Sequence, residues 1–253
     1  MARPRVGLVG VNGYGRTHLR AAAGLHRERH LDFVAYSDVA ANAPDAVAEA
    51  CSHRVAGFAS YRQMLAEVPL DIVILATPIP LHAAMIERAF AAGVSVLVEK
   101  PPVVTIQDLD RLVALQRDHG VLCQVGFQTA RSPVTDALSE LAHGGALGAI
   151  ERIAMAGRWQ RSGAYYARTG WAGRLRHEGR YVLDGTLTNP FAHGLMNALL
   201  VAGRAAGRPV GESAVPATVH AELYRCRDME SDDTASVRIT TTDGQTVVAV
   251  TTL

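Results

Sequence analysis

The sequence predicts an α/β protein whose first half is a doubly wound parallel sheet and whose second half is a smaller α+β domain on a mainly antiparallel sheet. Three observations predict it. Short apolar runs alternate with amphipathic helical stretches up to about residue 128, the order that builds βαβ units. Two of these runs, residues 71–78 (DIVILATP) and 95–100 (SVLVEK), are unbroken and β-branched, as suits strands covered on both faces. Beyond about residue 129 the strands are longer and half-polar, and the last two are joined by Asp243-Gly244, a hairpin-turn dipeptide. The expected domains are residues 1–123 and 124–253.

The elements follow in order. Strands are expected at 5–10, 32–38, weakly at 55–59, at 71–78, 95–100 and 122–128. Helices are expected between them at 15–25, 44–51, 61–67, 81–92 and 105–119. Thr105 and Asp108 have the spacing of a capping box, and Gly120 is the stop. Ser132-Pro133 reads as an N-cap with proline in the first helical position, opening a helix to about residue 143 that Gly144-Gly145 ends. Residues 150–161 alternate like a half-exposed strand, and residues 162–187, rich in Gly, Arg and Tyr, read as an irregular loop. Loops this long without regular structure are usually functional. A helix over 189–202 and strands at 217–226, 234–242 and 245–253 complete the chain.

Composition narrows the function. At 253 residues, 49% of them hydrophobic, the chain can bury a core. Lys+Arg total 25 against 24 Asp+Glu, so no excess of basic charge points to nucleic acid or an anionic membrane. Three cysteines, Cys51, Cys123 and Cys226, show no metal spacing, so no metal is expected, and free thiols imply a reducing compartment. Residues 6–11 are too short for a signal peptide's apolar core and run into glycines. No apolar run nears the 18 or so residues that a membrane helix needs. A cytoplasmic location is expected.

The first strand runs into Gly10-Val11-Asn12-Gly13-Tyr14-Gly15 and a helix follows. In that setting glycines let backbone approach a pyrophosphate, and the helix N-terminus favours its charge. The spacing fits GxGxxG with Asn12 in the middle place. Asparagine tolerates the left-handed region, so the turn can survive. Asp38 ends the second strand, where a carboxylate can accept the adenine ribose hydroxyls and would repel a 2′-phosphate. No arginine stands at 39–43, so NAD is favoured over NADP. Asp38 would equally serve as an ordinary strand-end acid or the cap of the next helix.

The segments GLVGVNGYGRTHL, ATPIPLH, VEKP and VGFQTARSP, in that order, resemble the Gfo/Idh/MocA family, named for glucose–fructose oxidoreductase, inositol dehydrogenase and MocA. The resemblance covers the first half and continues through the helix near residue 190. It implies an N-terminal Rossmann domain, NAD(P) as cofactor, and a sugar, cyclitol or related polyol as substrate. Glu99-Lys100-Pro101 matches the family's EKP motif, which makes Lys100 a catalytic candidate. On the cofactor side the resemblance and the glycine loop together implicate Gly10, Asn12, Gly13, Tyr14, Gly15, Asp38, Thr77, Pro78, His82, Glu99, Lys100 and Gln128. Asn189 and His193 fall where the family has an Asp and a His four residues apart, so His193 is the second catalytic candidate. Tyr166, Arg168 and Trp171 join Lys100, Asn189 and His193 as substrate candidates, in a segment the resemblance sets near the substrate entrance.

Oxidising an alcohol needs a hydride acceptor, a base for the proton and charge stabilisation at the oxygen. Lys100 can supply the charge and His193 the base. The 189/193 spacing would place both residues on one helix face. Asn189-Pro190 also reads as an N-cap and first helical position, which would put His193 in the first turn, where the dipole favours a neutral ring. Asn189 departs from the family's acid. It can bind a hydroxyl but moves no proton, and Asp184 is the nearby acid that could replace it. The chain is shorter than most of the family and stops at the end of a strand, so either it is truncated or a homo-oligomer covers that sheet. Two alternatives remain open. One is a lyase or glycosidase that oxidises its sugar only transiently on bound NAD, and the other is a non-catalytic NAD-binding sensor or partner subunit.

Overall fold

In a computed structural model, which describes residues 2–253, the chain divides into two compact units, the first ending at Gly126 and the second spanning Phe127–Leu253. The first alternates strand and helix: β1 (Arg5–Val9), α1 (Gly15–Arg27), β2 (Asp32–Ser37), α2 (Ala43–Ala50), β3 (Ala56–Phe58), α3 (Tyr61–Glu67), β4 (Ile72–Leu75), α4 (His82–Ala91), β5 (Ser95–Val98), α5 (Ile106–His119) and β6 (Cys123–Val125). The strands form one parallel sheet in the order β3-β2-β1-β4-β5-β6. The order reverses between β1 and β4. Loops leaving those two strands diverge there and open the crevice in which doubly wound sheets bind ligands.

The unbroken apolar strands are explained by cover on both faces. Leu19 and Ala22 of α1 and Val47 of α2 pack with Val6, Leu8, Phe33 and Ile74 on one side. Met64 of α3, Ile86 and Phe90 of α4 and Leu112 of α5 pack with Val73, Leu75, Val96 and Val98 on the other. Phe33 and Phe90 are fully enclosed, and truncating either to alanine would cost about 3–5 kcal/mol. The end signals also hold. Thr105 Oγ1 accepts from the Asp108 N–H at 3.2 Å, and Gly120 closes α5 at φ +62°.

The second unit contains α6 (Pro133–His143), β7 (Arg152–Arg158), α7 (Gly163–Ala167), β8 (Arg176–His177), β9 (Arg180–Tyr181), α8 (Ala192–Ala205), β10 (Pro216–Tyr224), β11 (Thr234–Thr241) and β12 (Thr246–Thr252). Its main sheet has the order β10-β11-β12-β7. The first two pairings are antiparallel and β12–β7 is parallel, so the sheet is mixed. The hairpin turn is where expected, with Gly244 at φ +89°. Ala198 and Ala202 of α8 pack on Val237, Ile239 and Val247, and these small side chains let helix and sheet approach closely. Gly157 of β7 leaves room for the Phe191 ring, and Gly194 of α8 for Met155; a Cβ at either glycine would come within 2.4 Å and 2.8 Å of those side chains.

Two expectations in this unit are corrected. Residues 162–187 carry the short helix α7 and the β8–β9 ribbon rather than no regular structure. Arginine–aromatic stacking supplies the order that glycine content conceals. The last helix begins at Ala192, with Phe191 in the N-cap position, rather than at Asn189. Asn189 and Pro190 form a turn outside it, because the Asn189 side chain is engaged elsewhere.

Candidate functional site

In the first unit the site begins at the turn from β1 to α1. Gly10 has φ +83° and lies so close to the β4 end that a Cβ would come within 2.5 Å of the Ala76 carbonyl. A Cβ on Gly15 would come within 1.9 Å of the Gly10 carbonyl. Both glycines are demanded by backbone packing, and the resulting side-chain-free cradle is what a pyrophosphate needs. The residues therefore fit a dinucleotide. The left-handed positions are Gly10 and Gly13, the latter at φ +55°, and Asn12 is not among them. This corrects the reason given for Asn12. Its amide instead donates toward Asp38 Oδ2 at 3.5 Å and Asn42 Oδ1 at 3.3 Å, leading its side chain toward the β2 end.

Asp38 serves as a strand-end acid and is not the cap of α2, whose N-cap is Asn42. Oδ2 accepts from the Val11 N–H at 2.8 Å and Oδ1 from the Ala40 N–H at 2.8 Å. It ties the glycine turn to the β2 end, and a carboxylate's further lone pairs leave capacity for hydroxyl donors. Tyr14 is half-exposed at the N-cap of α1, edge-on to His18 with ring centroids 5.8 Å apart.

The ends of β4 and β5 carry Thr77, Pro78, Glu99 and Lys100. Lys100 is half-buried and joined to Pro101 by a cis peptide. Glu99 Oε1 lies 2.7 Å from His18 Nε2, both side chains being largely buried. A Cβ on Gly126 would come within 2.9 Å of Glu99 Oε1, so this glycine makes room for the carboxylate. His82 is 1% exposed, with Nε2 2.8 Å from the Thr77 carbonyl and Nδ1 2.8 Å from the Pro101 carbonyl. Burial lowers its pKa below the ordinary histidine value, against the pull of the two carbonyls and of Glu99. The expected direct contact of His82 with a cofactor is thus corrected. Its ring is enclosed and fastens together the two loops that bear Thr77 and Lys100.

In the second unit, Gln128 is exposed at the start of a 3-10 turn, Gln128–Arg131. His193 lies in the first turn of α8, edge-on to Phe127 at 5.7 Å. Asn189 Nδ2 donates to Asp184 Oδ1 at 2.6 Å. Asp184 is buried, and its Oδ2 accepts from the Gly173 N–H at 2.8 Å. Asn189 and His193 therefore do not share a helix face, contrary to expectation. Burial raises the Tyr166 pKa, which Arg227 opposes. Arg168 stacks on Tyr165 at 3.5 Å and lies 5.6 Å from the Trp171 ring centroid.

Sequence reasoning missed His18, Arg161 and Arg227. Helical spacing from Tyr14 could have drawn attention to His18, but nothing local ties it to Glu99. Asp232 and Asp233 were missed too. They accept from the Thr186 N–H and hydroxyl and from the Cys226 and Arg227 N–H groups, and so shape the loops of this unit. Among the described residues no group of three His, Cys, Asp or Glu could hold a metal, and no helix is long and apolar enough to cross a membrane.

Known proteins resemble the chain in sequence and in fold. A UDP-N-acetylglucosamine 3-dehydrogenase from Acidithiobacillus ferrooxidans is 28% identical over 144 residues, 57% of this chain and 43% of that protein. An inositol 2-dehydrogenase from Rhizobium meliloti is 27% identical over 154 residues, 61% of this chain and 45% of that protein. The chain thus matches less than half the length of either relative. The WlbA dehydrogenase from Bordetella pertussis, solved in complex with NADH and UDP-GlcNAcA, superposes with a TM-score of 0.83 at 24% identity, covering 100% of this chain and 70% of that one. That similarity establishes the fold. The family model described as an oxidoreductase family with an NAD-binding Rossmann fold matches residues 4–127, the stretch that carries β1 to β6. Through that unit the chain is similar to the Gfo/Idh/MocA family of oxidoreductases.

Proposed function

We propose that the protein is an NAD-dependent oxidoreductase that moves a hydride between the nicotinamide and a carbinol carbon of a sugar, cyclitol or related polyol. The observation that carries this reading is the backbone cradle at Gly10 and Gly15, closed to any side chain by the Ala76 and Gly10 carbonyls and bordered by Asp38. The family match and the dehydrogenase relatives agree with it.

When bound, NAD supplies the hydride acceptor. The chain supplies the rest. Asp38 accepts ribose hydroxyls and disfavours a 2′-phosphate. His82 holds the Thr77 and Lys100 loops in register. In the first unit Lys100 is the residue to stabilise negative charge at an alkoxide, and in the second unit His193 is the candidate base. Asn189 is held as a donor to Asp184 and has no proton to exchange, so base duty falls on His193.

The test is nucleotide binding followed by turnover. Melting temperature should rise with NAD and rise less with NADP, by mass action on the folded state. A polyol and sugar panel should then yield NADH. Absence of any stabilisation by either nucleotide would overturn the redox reading.

A further inference from the structure

Three arginines of the second unit gather on an aromatic platform without a carboxylate partner. Arg161 lies 5.1 Å from the Trp159 ring centroid and 4.3 Å from that of Tyr165. Arg168 covers Tyr165 at 3.5 Å and donates to its carbonyl at 2.7 Å. Arg227 lies 5.8 Å from the Tyr166 ring and donates to the backbone oxygens of Arg161 and Leu253. Among the described residues the ion pairs of this unit fall elsewhere, on Arg131, Arg174, Arg204, Arg208 and His177. The two acids whose charge acts on Tyr166, Asp184 and Asp233, are both engaged by backbone N–H groups.

Like charges gathered on neighbouring rings repel, and an anion set among them would relieve that repulsion. The segment from Arg161 to Thr169 holds donors that lack acceptors. Arg161 Nε, Tyr166 Oη and Thr169 Oγ1 are buried with no hydrogen-bond partner, a costly state unless a ligand supplies oxygens. Cation–π stacking fixes the guanidinium planes in advance, and a guanidinium matches carboxylate or phosphate oxygens two at a time. The chain's net charge of +1 offers no long-range field for a polyanion, which favours a small ligand.

We propose that Arg161, Arg168 and Arg227, with Tyr166 and Thr169, form an anion subsite that takes the carboxylate or phosphate of an acidic sugar. The substrate class is thereby narrowed from neutral polyols to sugars bearing a negative group. In its sugar half this rests on the oxidoreductase reading, whereas the anion half stands on the cluster alone.

The chain's two tryptophans, Trp159 and Trp171, both belong to this cluster, so their fluorescence reports on it without any nucleotide. The full chain would be titrated with glucuronate, glucose 6-phosphate, inorganic phosphate and glucose at constant ionic strength. A saturable change is expected with glucuronate or glucose 6-phosphate, whichever is tighter identifying the acidic group, and at least tenfold weaker binding of glucose. Arg168→Gln, at an exposed side chain, and Arg161→Met should each weaken the acidic sugar tenfold or more, with circular dichroism and melting temperature checking the fold. Arg168→Lys should recover only part, because the fork is lost. Equal binding of glucose, or unchanged affinity in a folded Arg168→Gln, overturns the subsite. Inorganic phosphate binding as tightly as glucose 6-phosphate overturns the sugar half. NAD stabilisation measured separately keeps this failure distinct from failure of the redox reading.

Discussion

The two units build their candidate sites from different material. In the first, the central feature is backbone: a Gly10–Gly15 turn that excludes side chains, with Asp38 tying it to the next strand and His82 pinning two loops through their carbonyls. In the second, the central feature is side chains: three arginines on Tyr165, Tyr166 and Trp159, and an Asn189–Asp184 pair beside the α8 start. A phosphate cradle recurs on many nucleotide-binding chains because every dinucleotide presents the same diphosphate. A substrate surface must differ between relatives, and side chains change by single substitutions without disturbing the fold.

The sharpest way to break this comparison is at glycine. Gly15→Ala should abolish NAD-dependent stabilisation and destabilise the fold by about 3 kcal/mol or more, since backbone must move to admit the Cβ. Gly13→Ala meets no atom within 4 Å, so it should cost only the strain of positive φ, about 1–2 kcal/mol. Denaturant melts with and without NAD would compare the two. If they behave alike, the cradle is not what confines this turn.

Activity is the next largest effect. Lys100→Met and His193→Phe should each lower kcat by about 100-fold or more, with NAD binding retained in His193→Phe because that residue is a substrate-side and not a cofactor-side candidate. Steady-state kinetics at saturating NAD checks both, and wild-type turnover in either variant removes its assigned role.

Asn189 sharpens the comparison further. The sequence resemblance implies an acid at this place, yet here Asp184 already faces Asn189 at 2.6 Å. Asn189→Asp would set two carboxylates in contact and remove a donor from a buried acid, so about 2–3 kcal/mol of stability should be lost above neutral pH. The loss should shrink on acidification, as one proton bridges the pair. Exchanging both residues, Asp184→Asn with Asn189→Asp, should recover much of it. Urea melts at pH 6 and pH 8 test this, and equal stability of the single variant at both would refute it.

The smallest effect concerns pH. His26 and His53 stack at 3.6 Å, with Asp32 and Arg3 alongside, and the Phe33 N–H donates to His26 Nδ1 at 3.3 Å. Burial first, then His53 and Arg3, lower the His26 pKa against the pull of Asp32. The unfolded chain therefore binds the proton more readily, and this stability is present above about pH 6.5 and lost as pH falls through the lower folded value. Buried His82 acts in the same sense. His26→Gln should flatten the stability profile between about pH 7 and 5, leaving the slope due to His82. An unchanged slope would show that the stacked pair contributes nothing.

Much of this was legible in the chain. The strand and helix order of the first unit, the Thr105 and Ser132 caps, the Asp243-Gly244 hairpin and the parallel sheet followed from periodicity and turn chemistry, which are local. The start of α8 was not legible. Asn189-Pro190 has the form of a cap, but the Asn189 side chain is drawn to Asp184, so the helix waits until Ala192. Nor was the order within residues 162–187, because a glycine-rich segment held by stacked arginines looks irregular by composition alone.

By itself the sequence determined the succession of elements, the glycine turn and the acid at its edge, because each depends on neighbours a few residues away. Only the tertiary structure decided that Glu99 meets His18, 81 residues earlier, that His82 is enclosed between two carbonyls, and that Arg227 joins Arg161 across 66 residues. Such partners are set by where packed elements bring their side chains, and a one-dimensional pattern carries no record of that distance.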